Sequence, residues 1–513
     1  MGNKEVFEKE KLSLWLKDGI GNNFNNLSMD LTCEVLIVGA GITGITTAYM
    51  LSNLGMDIII IDKDIPLNLT SGNTTAKFTF QHGINYSSII ENQGIEGAKL
   101  YYEAQLEAMD FVEDLIAQNK ILCDYNKTYS MIYAETRADF KEIKKEYKAY
   151  KKLNIPCELV ENLPYGLEGF GGLKVYDQFE LNPVKYCNFL LDELQNRNVK
   201  IYKNTNAVDT IIEEEYIKVL TEKGNTIKTK KLVVATGYPY YDGGGLFFTR
   251  LEAYRSYLAA FPGASSEDGM FITNSSSPYS IRFSNTDGVN YLLVGGRGHK
   301  VGQEDSAIKS YNDLIMFAKK YFDLEDISYR WSAQDYESLD KVPYIGNITE
   351  KKENIYIGTG YKKWGMTNGT FAGILLSSLI KGEESKYKEL FKPSRGEVKD
   401  NIGTLLGVNL NVAKELIKGK LVNDELKLED IKNDSGAIIK FKGKRTGAYR
   451  DHKGQLYLVD STCTHLGCEL EFNNAERTFD CPCHGSRFNY EGKVIEGPAI
   501  LKLRIINQEE VED

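Results

Sequence analysis

Apolar runs, glycine-rich turns and helical spacing alternate along the first part of the chain. The apolar run 35–38 leads into a glycine-rich turn, after which Ile45, Ala48 and Leu51 recur at helical spacing. A second apolar run, 58–61, has the length of a strand. Short apolar runs joined by a segment with helical periodicity predict parallel strands connected by a helix.

The strand-and-glycine pattern returns twice before the chain changes character. The apolar runs 232–237 and 355–360 each end in a glycine turn, and the second leads into a helical run, 371–380. From residue 431 onward, short apolar runs such as 437–441 alternate with Gly and Asp, which is typical of strands and turns. The pattern predicts an α/β part followed by a small all-β part.

Composition and charge narrow the class of protein. The 513 residues correspond to about 3 domains at roughly 150 residues each. Hydrophobic residues make up 42% and charged residues 26%, which is typical of a globular protein with packed cores. The net charge is −10 and no basic block is present, so we expect no nucleic-acid partner.

Targeting signals are not evident in the sequence. No apolar run approaches the length of a membrane span, which leaves only peripheral contact with a membrane open. Residues 1–30 mix charge with Asn and Gly and show neither a signal-peptide pattern nor a twin-arginine pair. We therefore expect a cytoplasmic protein.

The first glycine turn has the spacing of a dinucleotide-binding motif. In such a motif Gly39 makes the tight turn, Gly41 lets the backbone approach a pyrophosphate, and Gly44 lets helix and strand pack closely. The helix N-terminus offers free N–H groups to the phosphate, and Asp62, at the end of the second strand, is placed to bind a ribose. No second unit of this kind is evident, because the glycines at 295–298 have the wrong spacing. This favours FAD over an enzyme that binds two nucleotides on separate units.

Residues 31–385 resemble the D-amino-acid oxidase-type family of FAD-dependent oxidoreductases. The resemblance is carried by the first glycine motif with Asp62, the turn 235–237 and the segment 358–360 with its following helix. It implies an α/β FAD-binding Rossmann-type domain with an α+β substrate domain, the latter at approximately 86–180 and 250–335. The FAD-binding residues that it implies are Gly39, Gly41, Thr43, Gly44, Asp62, Lys63, Ser71, Gly72, Thr75, Val208, Thr236, Gly237, Gly358, Gly360, Gly365 and Thr367.

Catalytic residues are less well indicated. The loop 70–77 lies where the family contacts the flavin, but it departs from the amine-oxidase pattern, so the substrate stays open. Lys77 and His82 follow this loop and are candidates to face the flavin ring; a surface lysine and a hydrogen-bonded core histidine are equally compatible. Three arginines, Arg255, Arg282 and Arg297, are candidates to bind a substrate carboxylate, against the alternative of ordinary salt bridges.

Cysteine and histidine cluster near the C-terminal end. Of 8 Cys and 5 His, the pairs Cys463/His465 and Cys481/His484 form two half-sites. Two thiolates on one iron and two imidazoles on the other are the ligands of a His-ligated [2Fe–2S] cluster. Zinc is the competing interpretation, although zinc fingers space their ligands differently.

Residues 431–513 resemble a Rieske domain through these half-sites. In respiratory Rieske proteins, cysteines at the places of Cys468 and Cys483 form a disulfide, so the resemblance implies that pair. Ser486 matches the respiratory pattern, whereas Phe488 stands where that pattern has Tyr. A missing hydroxyl donor to a cluster ligand lowers the reduction potential.

The two halves together resemble a bacterial group of oxidoreductases with a D-amino-acid oxidase-type domain and a C-terminal Rieske domain. We divide the chain into an arm at 1–30, the flavin part at 31–385, a linker at 386–430 and the Rieske domain at 431–513. The combination implies oxidation of a small amine or amino-acid-like substrate at FAD and transfer of single electrons through the cluster to an external protein or quinone.

Three other functions are conceivable for a chain with these two cofactors. Electrons could enter at the cluster and leave from FAD, or the two cofactors could sense redox potential without turnover. A Rieske oxygenase needs a mononuclear iron held by two His and a carboxylate, and the remaining His82, His299 and His452 form no close pair in the sequence. That third interpretation is therefore disfavoured.

Overall fold

The fold is described from a computed structural model, which covers seven stretches of the chain. The described residues are 12–21, 23–265, 267–303, 306–395, 411–412, 414–415 and 426–507. The predicted arm at 1–30 and the predicted linker at 386–430 lie partly outside these residues, and the domain boundaries stay a prediction. The predicted fold class is confirmed, since an α/β part is followed by a small all-β part.

Helices occur only in the first of these parts among the described elements. They are α1 (Ile42–Ser52), α2 (Tyr86–Asn119), α3 (Arg137–Lys152), α4 (Pro183–Asn196), α5 (Ala307–Phe322), α6 (Gly365–Lys381) and α7 (Lys388–Phe391), with single 3-10 turns at Leu14–Leu16, Thr70–Asn73, Phe247–Thr249 and, before the all-β part, Leu428–Asp430. The longest, α2, is interrupted at Gly94, whose φ is 74°. Its N-terminus is capped from α3, because the Glu146 carboxylate accepts the backbone N–H groups of Asn85, Tyr86 and Ser87.

Eighteen of the strands in the described ranges belong to the α/β part. They are β1 (Asn25–Asn26), β2 (Leu31–Val38), β3 (Ile58–Ile61), β4 (Lys77–Phe78), β5 (Asn126–Tyr133), β6 (Glu158–Val160), β7 (Gly172–Glu180), β8 (Lys200–Lys203), β9 (Ala207–Ile212), β10 (Ile217–Thr221), β11 (Thr226–Val234), β12 (Leu251–Pro262), β13 (Met270–Thr273), β14 (Tyr279–Thr286), β15 (Val289–Lys300), β16 (Tyr329–Ser338), β17 (Tyr344–Asn347) and β18 (Ile355–Thr359).

The first sheet carries the glycine motif. Its strand order is β1-β8-β3-β2-β11-β10-β9, with β18 beside β11 and β17 beside β18. The strands β1, β8, β3, β2, β11 and β18 pair in parallel. The β3 residues 58–61 are all buried, as expected for a parallel strand covered on both faces. Helices α1 and α6 pack together against this sheet, with Ile45 and Phe371 in its core.

The second sheet is largely antiparallel, and most of its strands lie within the two stretches predicted to form the substrate part. Its order is β16-β12-β15-β14-β13-β5-β7-β4, with β6 beside β7, and β13 and β5 are its parallel pair. At one edge, β12 pairs with β16 so that Arg255 lies opposite Gln334 and Tyr254 opposite Asp335. Alternate residues of a strand point to opposite faces, so this edge presents one set of side chains to each side.

The C-terminal part consists of two small antiparallel sheets. One contains β19 (Ser435–Phe441), β20 (Lys444–Arg450) and β21 (Leu456–Asp460); the other contains β22 (Glu471–Asn473), β23 (Thr478–Asp480), β24 (Arg487–Asn489) and β25 (Val494–Glu496). Phe479 and Phe488 pack with Cys463 and Cys481 in one buried cluster. After β25 the peptide bond between Gly497 and Pro498 is cis.

None of the helices in the described ranges has both the length and the apolar composition that crossing a bilayer requires.

Candidate flavin and iron–sulfur sites

A cavity of about 720 Å³ opens where the two large sheets meet, a volume typical of a ligand site. Its walls include residues of the glycine turn, the loop 70–75, the strand edge β12/β16 and the turn before α6. Eleven of the predicted FAD-binding residues line it: Gly39, Gly41, Thr43, Asp62, Lys63, Ser71, Thr75, Thr236, Gly237, Gly360 and Gly365.

At two glycines of the turn, a side chain would collide with backbone atoms. Gly39 has φ 110°, and a Cβ there would lie 2.4 Å from the Ala235 carbonyl oxygen. A Cβ on Gly44 would lie 2.0 Å from the Gly39 carbonyl oxygen, so Gly44 serves packing. Gly41 faces the cavity at the start of α1. A bare backbone and a helix N-terminus at a cavity wall fit the pyrophosphate of FAD.

Asp62 stands at the end of β3 beside this turn. Its Oδ2 accepts the Ala40 N–H at 2.7 Å, and its Oδ1 accepts the Asp64 N–H at 2.9 Å. Burial raises the pKa of Asp62 to about 6. The carboxylate thus holds the turn while facing the cavity, which fits a contact with the ribose of the nucleotide.

The other predicted FAD-binding residues lie behind the wall. Gly72 donates its N–H to the Leu67 carbonyl, and Thr367 lies within hydrogen-bond distance of His82. A Cβ on Gly358 would lie 2.6 Å from the Tyr361 hydroxyl. Val208 follows 205–207, whose three residues do line the cavity.

Lys77 and His82 both line the cavity, and both are buried. Lys77 Nζ donates to the Phe271 carbonyl at 2.8 Å and to Ser280 Oγ at 2.7 Å, and burial lowers its pKa to about 7. His82 Nδ1 lies 2.7 Å from the Tyr101 hydroxyl, and Nε2 lies 2.8 Å from the Thr79 carbonyl oxygen. Burial lowers the pKa of His82 to about 3, so its ring is neutral near pH 7.

The three candidate arginines are engaged with acidic groups of the protein. Arg255 pairs with Glu476 at 2.9 Å and with Glu496 at 3.2 Å. Of the other two, Arg282 pairs with Glu180 at 3.0 Å and also donates to backbone carbonyls, whereas Arg297 pairs with Asp313 at 2.7 Å. A guanidinium already held by a carboxylate offers little to a substrate carboxylate.

A cation that the sequence reasoning missed projects into the cavity. The side chain of Lys363 is exposed to the cavity, and its Nζ makes no hydrogen bond or ion pair within the described part of the chain. Gly298 gives it space, since a Cβ there would lie 2.7 Å from Lys363 Nζ and 2.7 Å from Ser256 Oγ. Desolvation by the surrounding protein lowers the pKa of Lys363, and the nearby carboxylates of Glu337 and Asp335 act in the opposite direction. The signal was a lysine directly before the Trp364-Gly365 start of α6, which sequence alone did not connect with Gly298.

The predicted cluster ligands lie together in two loops of the all-β part, after β21 and between β23 and β24. Cys463 and Cys481 are free, buried thiols. The rings of His465 and His484 lie 5.1 Å apart, and both Nδ1 atoms are buried without a hydrogen-bond partner in the described structure. Two thiols and two unpartnered imidazole nitrogens fit the donor set of a [2Fe–2S] cluster.

The disulfide implied by the Rieske resemblance is confirmed, since Cys468 and Cys483 are bonded. The sulfur atoms of Cys468, Cys481 and Cys483 lie close together. Because Cys468 and Cys483 form the disulfide, Cys481 is the member of these three that can bind metal. Burial, followed by the neighbouring His465, lowers the pKa of His484 to about 4. A neutral imidazole is the form that binds a metal.

Ser486 and Phe488 flank the ligand pair differently. The interaction with Cys481 is the main cause that lowers the pKa of Cys463, and Ser486 contributes to it. Ser486 Oγ accepts the Ala499 N–H at 2.9 Å. Phe488 is fully buried beside Cys463 and Cys481 and brings no polar atom.

The cluster loops dock onto the edge of the second sheet. Phe248 lies edge-on to both histidine rings, at 6.1 Å from that of His465 and 5.9 Å from that of His484. Gln334 of β16 donates through Nε2 to the Gly485 carbonyl at 2.8 Å. Gly485 has φ 82°, and a Cβ there would lie 2.3 Å from Ala253 Cβ. The absence of a side chain lets the loop approach β12.

Two family models match the chain. The model described as FAD dependent oxidoreductase matches residues 34–379, and that of the Rieske [2Fe-2S] domain matches residues 423–507. The matches confirm the two predicted cofactors, FAD and a [2Fe–2S] cluster.

Known proteins resemble the chain over different lengths. The Rieske 2Fe-2S iron-sulfur protein YhfW of Bacillus subtilis (strain 168) is 37% identical over 508 residues, 99% of this chain and 100% of that protein. The cytochrome b6-f complex iron-sulfur subunit of Synechococcus elongatus is 32% identical over 154 residues, 29% of this chain and 76% of that subunit. The glycine oxidase from Geobacillus kaustophilus shares the fold, with a TM-score of 0.62 at 15% identity over 72% of this chain and 100% of that enzyme.

Proposed function

Because this chain belongs to the FAD-dependent oxidoreductase family and carries a C-terminal Rieske domain, we propose that it oxidises a small amine or amino acid and exports the electrons singly. When bound, FAD accepts two electrons as a hydride equivalent and a Rieske cluster carries one electron at a time. An external one-electron acceptor protein or a quinone would receive them.

The observation that carries this proposal is the single strand edge shared by the two sites. Tyr254 and Asp335 line the cavity, whereas Arg255, between Tyr254 and Ser256 in β12, points to the Rieske domain. Gln334 belongs to both sides: it is among the cavity-lining residues and donates to the Gly485 carbonyl, next to His484. One layer of sheet therefore separates the cavity from a proposed cluster ligand.

The Lys363 ammonium, which makes no hydrogen bond or ion pair with the described residues, favours a substrate with a carboxylate. Lys363 Nζ and Ser256 Oγ both lie next to Gly298, and Nζ lies 5.6 Å from the centre of the Tyr254 ring. An ammonium and a hydroxyl can together hold a carboxylate by charge-assisted hydrogen bonds. The aromatic ring next to them offers a face to the aliphatic or cationic part of an amino acid.

The two predicted catalytic residues take different roles in this proposal. Lys77 has a pKa of about 7, so a fraction of its Nζ is neutral near that pH and can take a proton from a substrate ammonium. His82 is neutral, with both ring nitrogens engaged, and its ring stacks on Trp364 at 4.9 Å. His82 is therefore a positioning residue for the turn that carries Lys363 and Trp364.

Anaerobic titration of the purified holoprotein with amines, amino acids and hydroxy acids tests the function. We expect an amino acid to bleach the flavin absorbance and then to produce the electron paramagnetic resonance signal of a reduced, His-ligated cluster. Flavin bleaching without that signal would contradict export through the cluster. Cluster reduction by an external donor that then bleaches the flavin, with no substrate reducing it, would instead support the opposite direction of flow.

A further inference from the structure

The Rieske domain supplies one wall of the flavin cavity. At the end that contains Asp62, Lys63 and the segment 205–207, the opposite lining comes from strand β25 and the loop that follows it. The contributing residues are Val494, Glu496, Gly497, Pro498, Ala499 and Ile500. This end is the one predicted to hold the adenosine half of FAD, since Asp62 follows β3 in the nucleotide-binding unit.

Direct hydrogen bonds hold this segment against the flavin domain. Lys63 Nζ donates to the Ile495 carbonyl, so the residue after Asp62 reaches across the cavity rim to the Rieske domain. From the other side, the Tyr336 hydroxyl donates to the Gly497 carbonyl at 3.0 Å, and the Tyr336 ring lies 5.3 Å from that of Tyr238. Tyr238 and Tyr336 are themselves lining residues.

Buried ion pairs hold the start of the segment 494–500 in place. The Glu496 carboxylate, 11% exposed, pairs with Arg487 of its own domain at 2.9 Å and with Arg255 of β12 at 3.2 Å. Both arginines are 2% exposed. Removing the segment from the cavity would leave Arg255 with fewer counter-charges in a buried setting, which is costly.

We propose that residues 494–500 of the Rieske domain form part of the FAD-binding site and close over the nucleotide end of the cofactor. A ligand held between two domains binds more tightly to their docked arrangement and therefore stabilises it. The coupling is reciprocal, so the docked Rieske domain also raises the affinity for FAD. The proposal rests on FAD binding alone and stands apart from the direction or existence of electron export.

Hydrogen exchange on flavin-free and flavin-reconstituted protein, both with the cluster intact, tests it directly. We expect amides within 494–500 to exchange about tenfold more slowly when FAD is bound, because opening of this segment then competes with binding. Strand β20, residues 444–450 of the same domain, is the internal control and should not change. Equal exchange of 494–500 in the two forms would overturn the proposal.

A pair of substitutions at Gly497 gives a second, independent measurement. A Cβ at this position would lie 3.8 Å from Tyr238, so Gly497→Ala is accommodated, whereas Gly497→Trp places a ring in the cavity. We expect Gly497→Trp to weaken FAD binding by about tenfold or more, and Gly497→Ala to leave it within about twofold. The circular dichroism of the cluster should be unchanged in both variants, which shows that the Rieske domain is folded.

Wild-type FAD affinity in Gly497→Trp with an intact cluster signal would contradict the proposal. Loss of the cluster signal in that variant would point to misfolding, and the exchange measurement on the wild type then decides. Neither readout involves turnover, so a failure of the electron-export proposal leaves both results interpretable.

Discussion

Single side chains set the chemistry of both the iron–sulfur site and the flavin cavity. Two observations mark the cluster site. The Nδ1 atoms of His465 and His484 have no hydrogen-bond partner among the described residues, and the thiols of Cys463 and Cys481 are free. In the cavity, Lys363 plays the corresponding part, as a cation whose charge no described acidic group pairs with directly. Buried polar groups without partners are costly, so the two histidine Nδ1 atoms mark a ligand position.

Phe488 offers a sharp test of the cluster's electronic surroundings. The Phe488 ring packs among the buried side chains that surround Cys463 and Cys481. Phe488→Tyr therefore places a hydroxyl where it can donate a hydrogen bond to a ligand sulfur. A hydrogen bond stabilises the reduced, more negative state, so the reduction potential should rise by about 60 mV for ~1.4 kcal/mol. Protein-film voltammetry of wild type and variant measures this shift.

The matched control removes a donor from the same ligand pair. Ser486→Ala deletes the hydroxyl that contributes to lowering the pKa of Cys463, and the potential should fall. An unchanged or lower potential in Phe488→Tyr, with the expected fall in Ser486→Ala, would mean that the Tyr hydroxyl does not reach a sulfur.

Lys363→Met tests the carboxylate assignment. Loss of a charge-assisted hydrogen bond of ~1.5–3 kcal/mol should lower kcat/KM for an amino acid by about 10- to 100-fold. The corresponding amine without a carboxylate is the control, and its kcat/KM should stay nearly constant. Lys363→Arg should retain part of the amino-acid activity because it keeps the charge. Equal losses for the two substrates would remove the basis for this assignment.

At the scale of elements, local signals and tertiary pairing contributed differently to what could be predicted. The unit β2–α1–β3 was predictable because its glycines and its apolar spacing are local in sequence. The glycines at 295–298 have the wrong spacing for a dinucleotide-binding motif, yet Gly298 opens the space for Lys363 from another element. No local pattern reports which strand lies next to a lysine far away in sequence.

The strand edge β12/β16 carries a prediction about communication between the sites. Gln334→Leu removes the bond between the cavity wall and the Gly485 carbonyl and leaves a side chain of similar size. We expect reduction of the cluster after substrate addition to slow by about tenfold, the change that ~1.4 kcal/mol of barrier gives. Anaerobic stopped-flow absorbance resolves this step from flavin reduction.

Gln303 supplies the matched control for that experiment. Its Nε2 donates to the Pro482 carbonyl at 2.9 Å, so it bonds the same cluster loop, but it does not line the flavin cavity. Gln303→Leu should therefore leave the rate of cluster reduction near that of wild type. If both variants slow equally, the effect comes from docking of the loop and not from Gln334 itself.

At the scale of the whole molecule, buried charges join the two domains. Glu476 of the Rieske domain is fully buried and accepts from Arg255 and from Ser332, both in the flavin domain. From the sequence alone, Arg255 is a candidate to bind a substrate carboxylate, because the residues next to an arginine in sequence do not reveal its partner in the fold. The domain types were predictable from their motifs, whereas their interface was not.

Glu476→Ala should separate the unfolding of the two domains. It leaves Arg255 buried with weaker compensation, and the loss is expected to be about 3–5 kcal/mol of stability. Denaturant unfolding followed by cluster absorbance and by flavin fluorescence should then show two transitions at different midpoints. Glu491→Ala, which removes an exposed pair with Lys493, is the control and should cost about 0–1 kcal/mol. Coincident transitions in Glu476→Ala would contradict this view of the interface.

The docking of the cluster loops on β12 and β16 also has a kinetic consequence. Two centres on separate proteins meet by collision, so their exchange slows on dilution and depends on the supply of each protein. Here both are made in one chain at a fixed one-to-one ratio, and their contact is intramolecular. Any exchange across this edge is therefore first-order, and dilution affects only the meeting with substrate and with the external acceptor.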